Sequence, residues 1–431
     1  MMPSSVGQPV PRYDGIGHVT GRTTYVDDVF VPGMLYIKVL HSPVHKGIIR
    51  RLDVSTAENM PGVAGVLTAK DVSGKNAYFA IDQPVFPEKH IRYKGERLAA
   101  VAAVDEDTAM EAIEQIRLDI EEQTPVFDPF EAMKPDAPKV RPEGNLWEFS
   151  SGKYHRLRTG DVERGLAAAD EIVEKTYVTR KNDHAAMEPY VSVAYIDGND
   201  RLTIHTVGQS RHLHLKQLCG IFGLPVTKLR LVGDTVGGAF GGKGEMQCEH
   251  VAGLMALKIR KPVKYRMTRK EDLLYSTKRG AYVFEYKSGV KKNGRVTAHK
   301  VRAIEDIGAY QTKEAYGIQK LGLFVAGAYS VPNIWYDGYL VFTNKPVSTA
   351  MRGHAVINAN YASEIQMNLL AEAIGMNPWE IRFINAWRDG DTAPTRWKVV
   401  AAGLIETMKK AAEIGGVELP PYLGASDSSR R

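Results

Sequence analysis

Residues 236–244 read Val236-Gly237-Gly238-Ala239-Phe240-Gly241-Gly242-Lys243-Gly244, and this stretch carries the clearest chemical content of the chain. It follows an apolar run at 229–232 and precedes a helical pattern at 249–259. Gly237, Gly242 and Lys243 mimic the opening of a phosphate-binding P-loop, which then needs Ser or Thr to hold Mg²⁺. Position 244 is Gly, so that reading fails. The spacing also misses the dinucleotide fingerprint. What is left is a loop almost without side chains around one aromatic. Such a backbone lets its amides approach an oxygen-rich ligand closely, with Phe240 as a rigid apolar wall. It equally suits a tight turn with Phe240 plugging a core, and spacing does not separate the two.

Other reactive side chains offer less. His205, His212 and His214 resemble a metal cluster, but His205 falls in a strand-like run and His214 in a helical one, against a zinc site. Cys219 and Cys248 are the only cysteines. Two thiols cannot hold an iron–sulfur cluster, and a disulfide framework is not expected, which makes a reducing cytoplasm the default compartment. Both are read as small hydrophobes on helices.

The elements that must position these residues are readable in outline. Apolar runs at 35–40 and 98–104 predict strands, and Asp107 can cap a helix through Gln115. Ile116, Leu118 and Ile120 alternate with polar residues as in a half-buried strand. Residues 122–148 are proline-rich and read as an ordered linker. Beyond Gly160, strands at 172–180 and 202–207 alternate irregularly with helices at 210–222 and 249–259. Residues 358–374, 378–385 and 403–413 complete the helical pattern. Irregular spacing and frequent turns predict an α+β fold rather than a doubly wound sheet.

Composition narrows the class. With 431 residues, 44% hydrophobic and 25% charged, the chain can bury the cores of two or three domains. No apolar run approaches the ~18 residues of a membrane span, and the N-terminus has no secretory pattern. The net charge is +6, but the basic residues are scattered and no nucleic-acid reading module is present. Neither a nucleic acid nor a membrane is an expected partner.

Five collinear motifs tie these observations together. Residues 236–244 resemble the G-G-G-F-G-G-K motif of the xanthine dehydrogenase/aldehyde oxidase family. Gly21-Arg22-Thr23-Thr24-Tyr25-Val26-Asp27-Asp28 resembles its G-x-A-x-Y-x-D-D opening, and Met187-Glu188-Pro189 its E-P turn. Val207-Gly208-Gln209-Ser210 with His212 resembles S-T-Q-x-P-H, and Ala350-Met351-Arg352-Gly353 resembles A-F-R-G. The resemblance covers residues 12–412. It implies an α/β hammerhead domain (1–125), a linker (126–155) and the first part of a xanthine dehydrogenase-type molybdopterin-binding domain (156–415). The tail, 416–431, is expected to be disordered.

By the same resemblance, Gln209 donates its amide to an oxo ligand of molybdenum, and Gly238, Ala239, Phe240 and Gly241 line the cofactor. Arg352 faces anionic groups there. None is a direct metal ligand, since the pterin dithiolene holds the metal. The cofactor is expected in a dinucleotide form. The family's catalytic glutamate lies in a G-V-G-E-like motif that is absent from this sequence. A second molybdopterin subunit carrying the C-terminal half is therefore expected, with [2Fe–2S] and FAD subunits taking two electrons. The implied reaction is hydroxylation of an electron-poor carbon in an N-heteroaromatic ring, with water as oxygen source. An aldehyde oxidoreductase is the alternative. So is a non-catalytic paralogue, which Ala239 and Met351, for a usual Gly and Phe, mildly favour.

The departures from the pattern bear on substrate. Gly244 replaces a glutamate of purine-oxidising members, and His354 stands where they have a phenylalanine. Lys320 falls at their substrate-orienting arginine. Lys320 and His354 together favour an anionic substrate, unless they face solvent or a subunit contact. Thr349 occupies the position of the copper-holding cysteine of carbon monoxide dehydrogenases, which excludes that branch.

Overall fold

The structure is a computed structural model that describes residues 6–72, 74 and 82–418. The expected disorder of the tail falls, from residue 419, outside the described residues. Contacts group the chain into two compact units: Met1–Gln123 with His184–Ser276, and Thr124–Asp183 with Thr277–Arg431.

The first unit is built on a mixed seven-stranded sheet in the order Leu229–Gly233, Leu202–Thr206, Val191–Ile196, Val263–Arg266, Leu35–His41, Arg97–Ala103, Val63–Leu67. Leu35–Ile37 pairs in parallel with Val263–Tyr265, so strands far apart in sequence share one sheet. Arg97–Ala103 is buried along its whole length. Its side chains alternate between two cores, as the strand period requires. Ala100 and Ala102 join Val251, Ala252 and Met255 of helix Glu249–Ile259. Ala99 and Val101 pack with Ala112 and Ile113 of helix Glu106–Glu114.

That helix is capped by Asp105, which accepts from the Thr108 amide at 2.7 Å. The sequence points to Asp107 instead. Asp105 takes the role because its backbone is extended, while Asp107 already lies in the first turn. Helix Arg211–Phe222 ends at Gly223, whose φ of +65° is the left-handed stop a glycine supplies. A small antiparallel sheet, His90–Ile91, Gly47–Asp53 and Arg117–Glu122, completes the unit.

The second unit holds a five-stranded sheet in the order His155–Thr159, Ile334–Phe342, Val296–Gly308, Ala281–Val290, Glu171–Val178. The hairpin of its two long strands turns at Asn293-Gly294, with Gly294 at φ +81°. Helix Val356–Ala373 buries Ala359, Ala362, Gln366, Met367 and Leu370, one face of a 3.6-residue period. Gln366 ties that face to the sheet, accepting from the Tyr177 hydroxyl and donating to the Val173 carbonyl at 3.0 Å. Helix Glu314–Leu321, interrupted by Gly317, is not foreseen by the sequence pattern. The architecture is α+β, and among the described residues no helix is long and apolar enough to cross a membrane.

Candidate functional site

In the first unit the glycine-rich stretch folds as a tight loop. Gly238, Phe240 and Gly241 have φ of +99°, +53° and +107°. Phe240 is 45% exposed, so it does not plug a core, while Ala239 beside it is buried. The glycines differ in what they do. A Cβ at Gly237 would sit 2.7 Å from Glu188 Cβ, and one at Gly242 would sit 2.8 Å from the His184 ring and the Tyr190 hydroxyl. Those two glycines are demanded by packing. Gly238 has only ordinary contacts, so its positive φ is the reason for a glycine there.

Gln209 is fastened to this loop at both ends. Its backbone amide donates to the Lys243 carbonyl at 2.8 Å, and its side-chain oxygen accepts from the Gly241 amide at 3.0 Å. The carboxamide NH₂ is left as an exposed donor. Beneath the loop lies an ion pair. Lys243, 2% exposed, reaches Glu188 Oε2 at 2.6 Å, and the same oxygen accepts from the Gly237 amide at 2.8 Å. Burial pushes the Lys243 ammonium below its usual range, and Glu188 partly offsets this. Gly244 is buried, and its carbonyl oxygen lies 3.0 Å from His214 Nε2. His214 thus pins the loop's end. No His, Cys, Asp or Glu cluster among the described residues suits a metal ion. Cys248 is buried as expected, and Cys219 is half-buried.

In the second unit Arg352 is exposed and makes no ion pair among the described residues. Its carbonyl accepts from the Arg279 guanidinium at 2.7 Å. His354 Nε2 lies 2.7 Å from Glu314 Oε2. Lys320 sits half-buried in the last turn of helix Glu314–Leu321. The structure thus joins Gln209 to Gly241 in one unit, and sets His354 on the helix that carries Lys320 in the other. Sequence reasoning misses the Glu188–Lys243 pair, the hold of His214 on Gly244, and the Glu314–His354 contact. Each links residues distant in sequence, and only Glu188 has a signal, its Glu-Pro motif.

Residues 147–386 match the molybdopterin cofactor-binding domain model, and residues 20–124 match that of the aldehyde oxidase and xanthine dehydrogenase a/b hammerhead domain. The chain belongs to the xanthine dehydrogenase/aldehyde oxidase family. It is similar to the nicotinate dehydrogenase large molybdopterin subunit of Eubacterium barkeri, with 34% identity over 95% of this chain and 96% of that one. It is 35% identical to a probable xanthine dehydrogenase subunit of Bacillus subtilis over 93% of its length, spanning 54% of that relative. The aldehyde oxidoreductase structure from Desulfovibrio gigas superposes with a TM-score of 0.90 at 29% identity, covering 94% of this chain and 46% of that one. The chain therefore spans about half of some relatives and nearly all of another.

The chemistry of the loop fits the family's cofactor. A neutral NH₂ held in place by its own oxygen suits an oxo group, and an exposed aromatic on a positive-φ backbone suits a wall against a bound group.

Proposed function

We propose that this chain forms one part of the molybdenum site of a multi-subunit hydroxylase acting on an electron-poor carbon of an N-heteroaromatic substrate. The observation that carries the reading is the Gln209–Gly241 bond, which fixes the carboxamide and leaves its NH₂ free to donate. When bound, the molybdopterin cofactor supplies two-electron oxidation with water as the oxygen source. Gln209 donates to an oxo group, and the backbone at Gly238, Ala239 and Gly241 lines the cofactor. Phe240 excludes water from one side. Arg352 offers a permanent cation to anionic groups. Lys320 and His354 receive the substrate, and Gly244 leaves out the carboxylate that purine-oxidising members use.

The general base is supplied by a second molybdopterin subunit, and iron–sulfur and FAD subunits accept the electrons. The near-complete match to a separate large molybdopterin subunit supports this division. The similarity to an aldehyde oxidoreductase supports an aldehyde as the alternative substrate. The test is turnover of the assembled enzyme in oxygen-18-labelled water with pyridine-3-carboxylate and benzaldehyde as probes. Label in a ring hydroxyl supports the reading; label only in benzoate moves it to the aldehyde; turnover of neither overturns it.

A further inference from the structure

Strand Leu202–Thr206 ends in a residue paired on both sides, since Thr206 stands opposite Ser192 and Gly233. Three residues later the chain has left the sheet and presents the exposed carboxamide of Gln209. The departure is fixed by side chains from the interior. Thr206 Oγ accepts from the Gly208 amide at 2.8 Å, a local bond that bends the backbone just before Gln209. The hydroxyl in turn donates to Glu249 Oε1 at 2.5 Å. The other oxygen of that carboxyl, Oε2, accepts from the Gln247 and Cys248 amides at 3.1 and 3.2 Å. Thr206 is fully buried, and Glu249 is 2% exposed. A backbone N–H can only donate, so the acceptors at Thr206 Oγ and Glu249 Oε2 follow from geometry alone.

These bonds join the two segments that meet at the candidate site. Gly208 leads into Gln209, and Gln247 and Cys248 follow the glycine loop. The segments touch directly where the Gln209 amide meets the Lys243 carbonyl and the Gly241 amide meets the Gln209 side-chain oxygen. The Glu249 carboxyl bridges the same two segments from the buried side. The His214 ring fills the space beside Gly208, where a Cβ would lie 2.6 Å from Nδ1. That nitrogen is 3.9 Å from Glu249 Oε1, too far for a hydrogen bond, so the link from Glu249 to Gln209 runs through Thr206. The Gln209 side chain is long and its end is held by one bond, so a shift of the Gly208 backbone carries through to the NH₂.

We propose that Glu249 and Thr206 are positioning residues for Gln209: the buried carboxyl and hydroxyl fix the Gly208 backbone, which sets the Gln209 side chain on the Gly241 amide with its NH₂ outward. This rests on Gln209 being a cofactor-facing residue in the proposed function.

The test is residue-resolved hydrogen exchange on the enzyme with its co-purifying partners, joined to steady-state turnover. Thr206→Val keeps the shape and the strand propensity and removes the hydroxyl. The Gly241 amide, whose acceptor is Gln209, then exchanges about tenfold faster, the protection that one ordinary hydrogen bond gives. The Gly237 amide, held in the same loop by Glu188, keeps its rate. Thr206→Ser restores the hydroxyl and with it the protection of Gly241. Glu249→Gln, equal in size, has a single accepting oxygen and cannot serve Thr206 and the two amides together, so it moves Gly241 in the same direction. In turnover of pyridine-3-carboxylate or benzaldehyde, whichever the enzyme accepts, Thr206→Val lowers kcat about tenfold with KM unchanged. In a Gln209→Ala background it lowers kcat no further, because no carboxamide is left to place. Gly241 exchange unchanged in both Thr206→Val and Glu249→Gln, equal acceleration at Gly237, or kcat losses that add in the double variant overturn the proposal. Lack of molybdenum, or turnover of neither probe, overturns the proposed function instead, and the exchange rates still decide the positioning.

Discussion

At the scale of single residues, the glycine loop depends on a buried ion pair that its composition hides. Removing Glu188 strands the Lys243 ammonium and the Gly237 amide in a nearly dry site. Breaking a buried pair from one side destabilises by about 3–5 kcal/mol. We therefore expect Glu188→Ala to lower unfolding free energy by roughly 3 kcal/mol in denaturant titrations. The double variant Glu188→Leu/Lys243→Met should recover much of it, and additivity of the two changes would refute the coupling. Gln209→Ala removes a donor but no buried charge. It should leave stability within about 1 kcal/mol and lower kcat about 10²-fold, as loss of a donor to developing charge does. Gln209 and Phe240 are legible in the sequence because their neighbours form recognisable motifs. Glu188 is legible only as a Glu-Pro turn, since its lysine lies 55 residues further along.

Among the elements, those with punctuation in the sequence are readable. Helix Arg211–Phe222 stops at Gly223, and helix Pro378–Asn385 starts on its proline behind the Asn377 cap. The helix after Arg97–Ala103 is placed correctly by its pattern but capped at the wrong aspartate, because Asp105 and Asp107 are equally good caps in sequence and only backbone conformation separates them. Helix Glu314–Leu321 escapes notice: Tyr316 and Gly317 lower its propensity, and a Cβ at 317 would lie 2.5 Å from His354 Nε2. Glycine inside a helix has another use at Gly253. A Cβ there would lie 2.3 Å from Phe222 Cζ and 3.0 Å from Ile204 Cδ1. Despite better helix propensity, Gly253→Ala should destabilise by about 1–3 kcal/mol through overpacking, read as a lowered thermal midpoint. A raised midpoint would show that the core there yields.

Over the whole molecule, the α+β class follows from patterning, but not the sheet that pairs Leu35–Ile37 with Val263–Tyr265, which periodicity cannot encode. The response to acid is also a whole-chain property. His299 is buried against Ser288 Oγ at 2.8 Å, and burial lowers it to about 4. Its folded value lies below that of the unfolded chain, so unfolding takes up the proton. The stability is full above about pH 6.5 and is lost as pH falls toward 4, by about 2 kcal/mol at pH 5. Denaturant midpoints at pH 7.5 and 5 should diverge accordingly, and His299→Leu should flatten its share of the difference.

We propose that Gln209 and the glycine loop belong to a molybdenum site completed by another chain. The most direct measurement is elemental analysis for molybdenum on the untagged-partner assembly, beside a mass-spectrometric census of its subunits. The account predicts stoichiometric molybdenum together with a second molybdopterin subunit that carries the missing glutamate. A lone chain without molybdenum, from cells that make other active molybdenum enzymes, would contradict it.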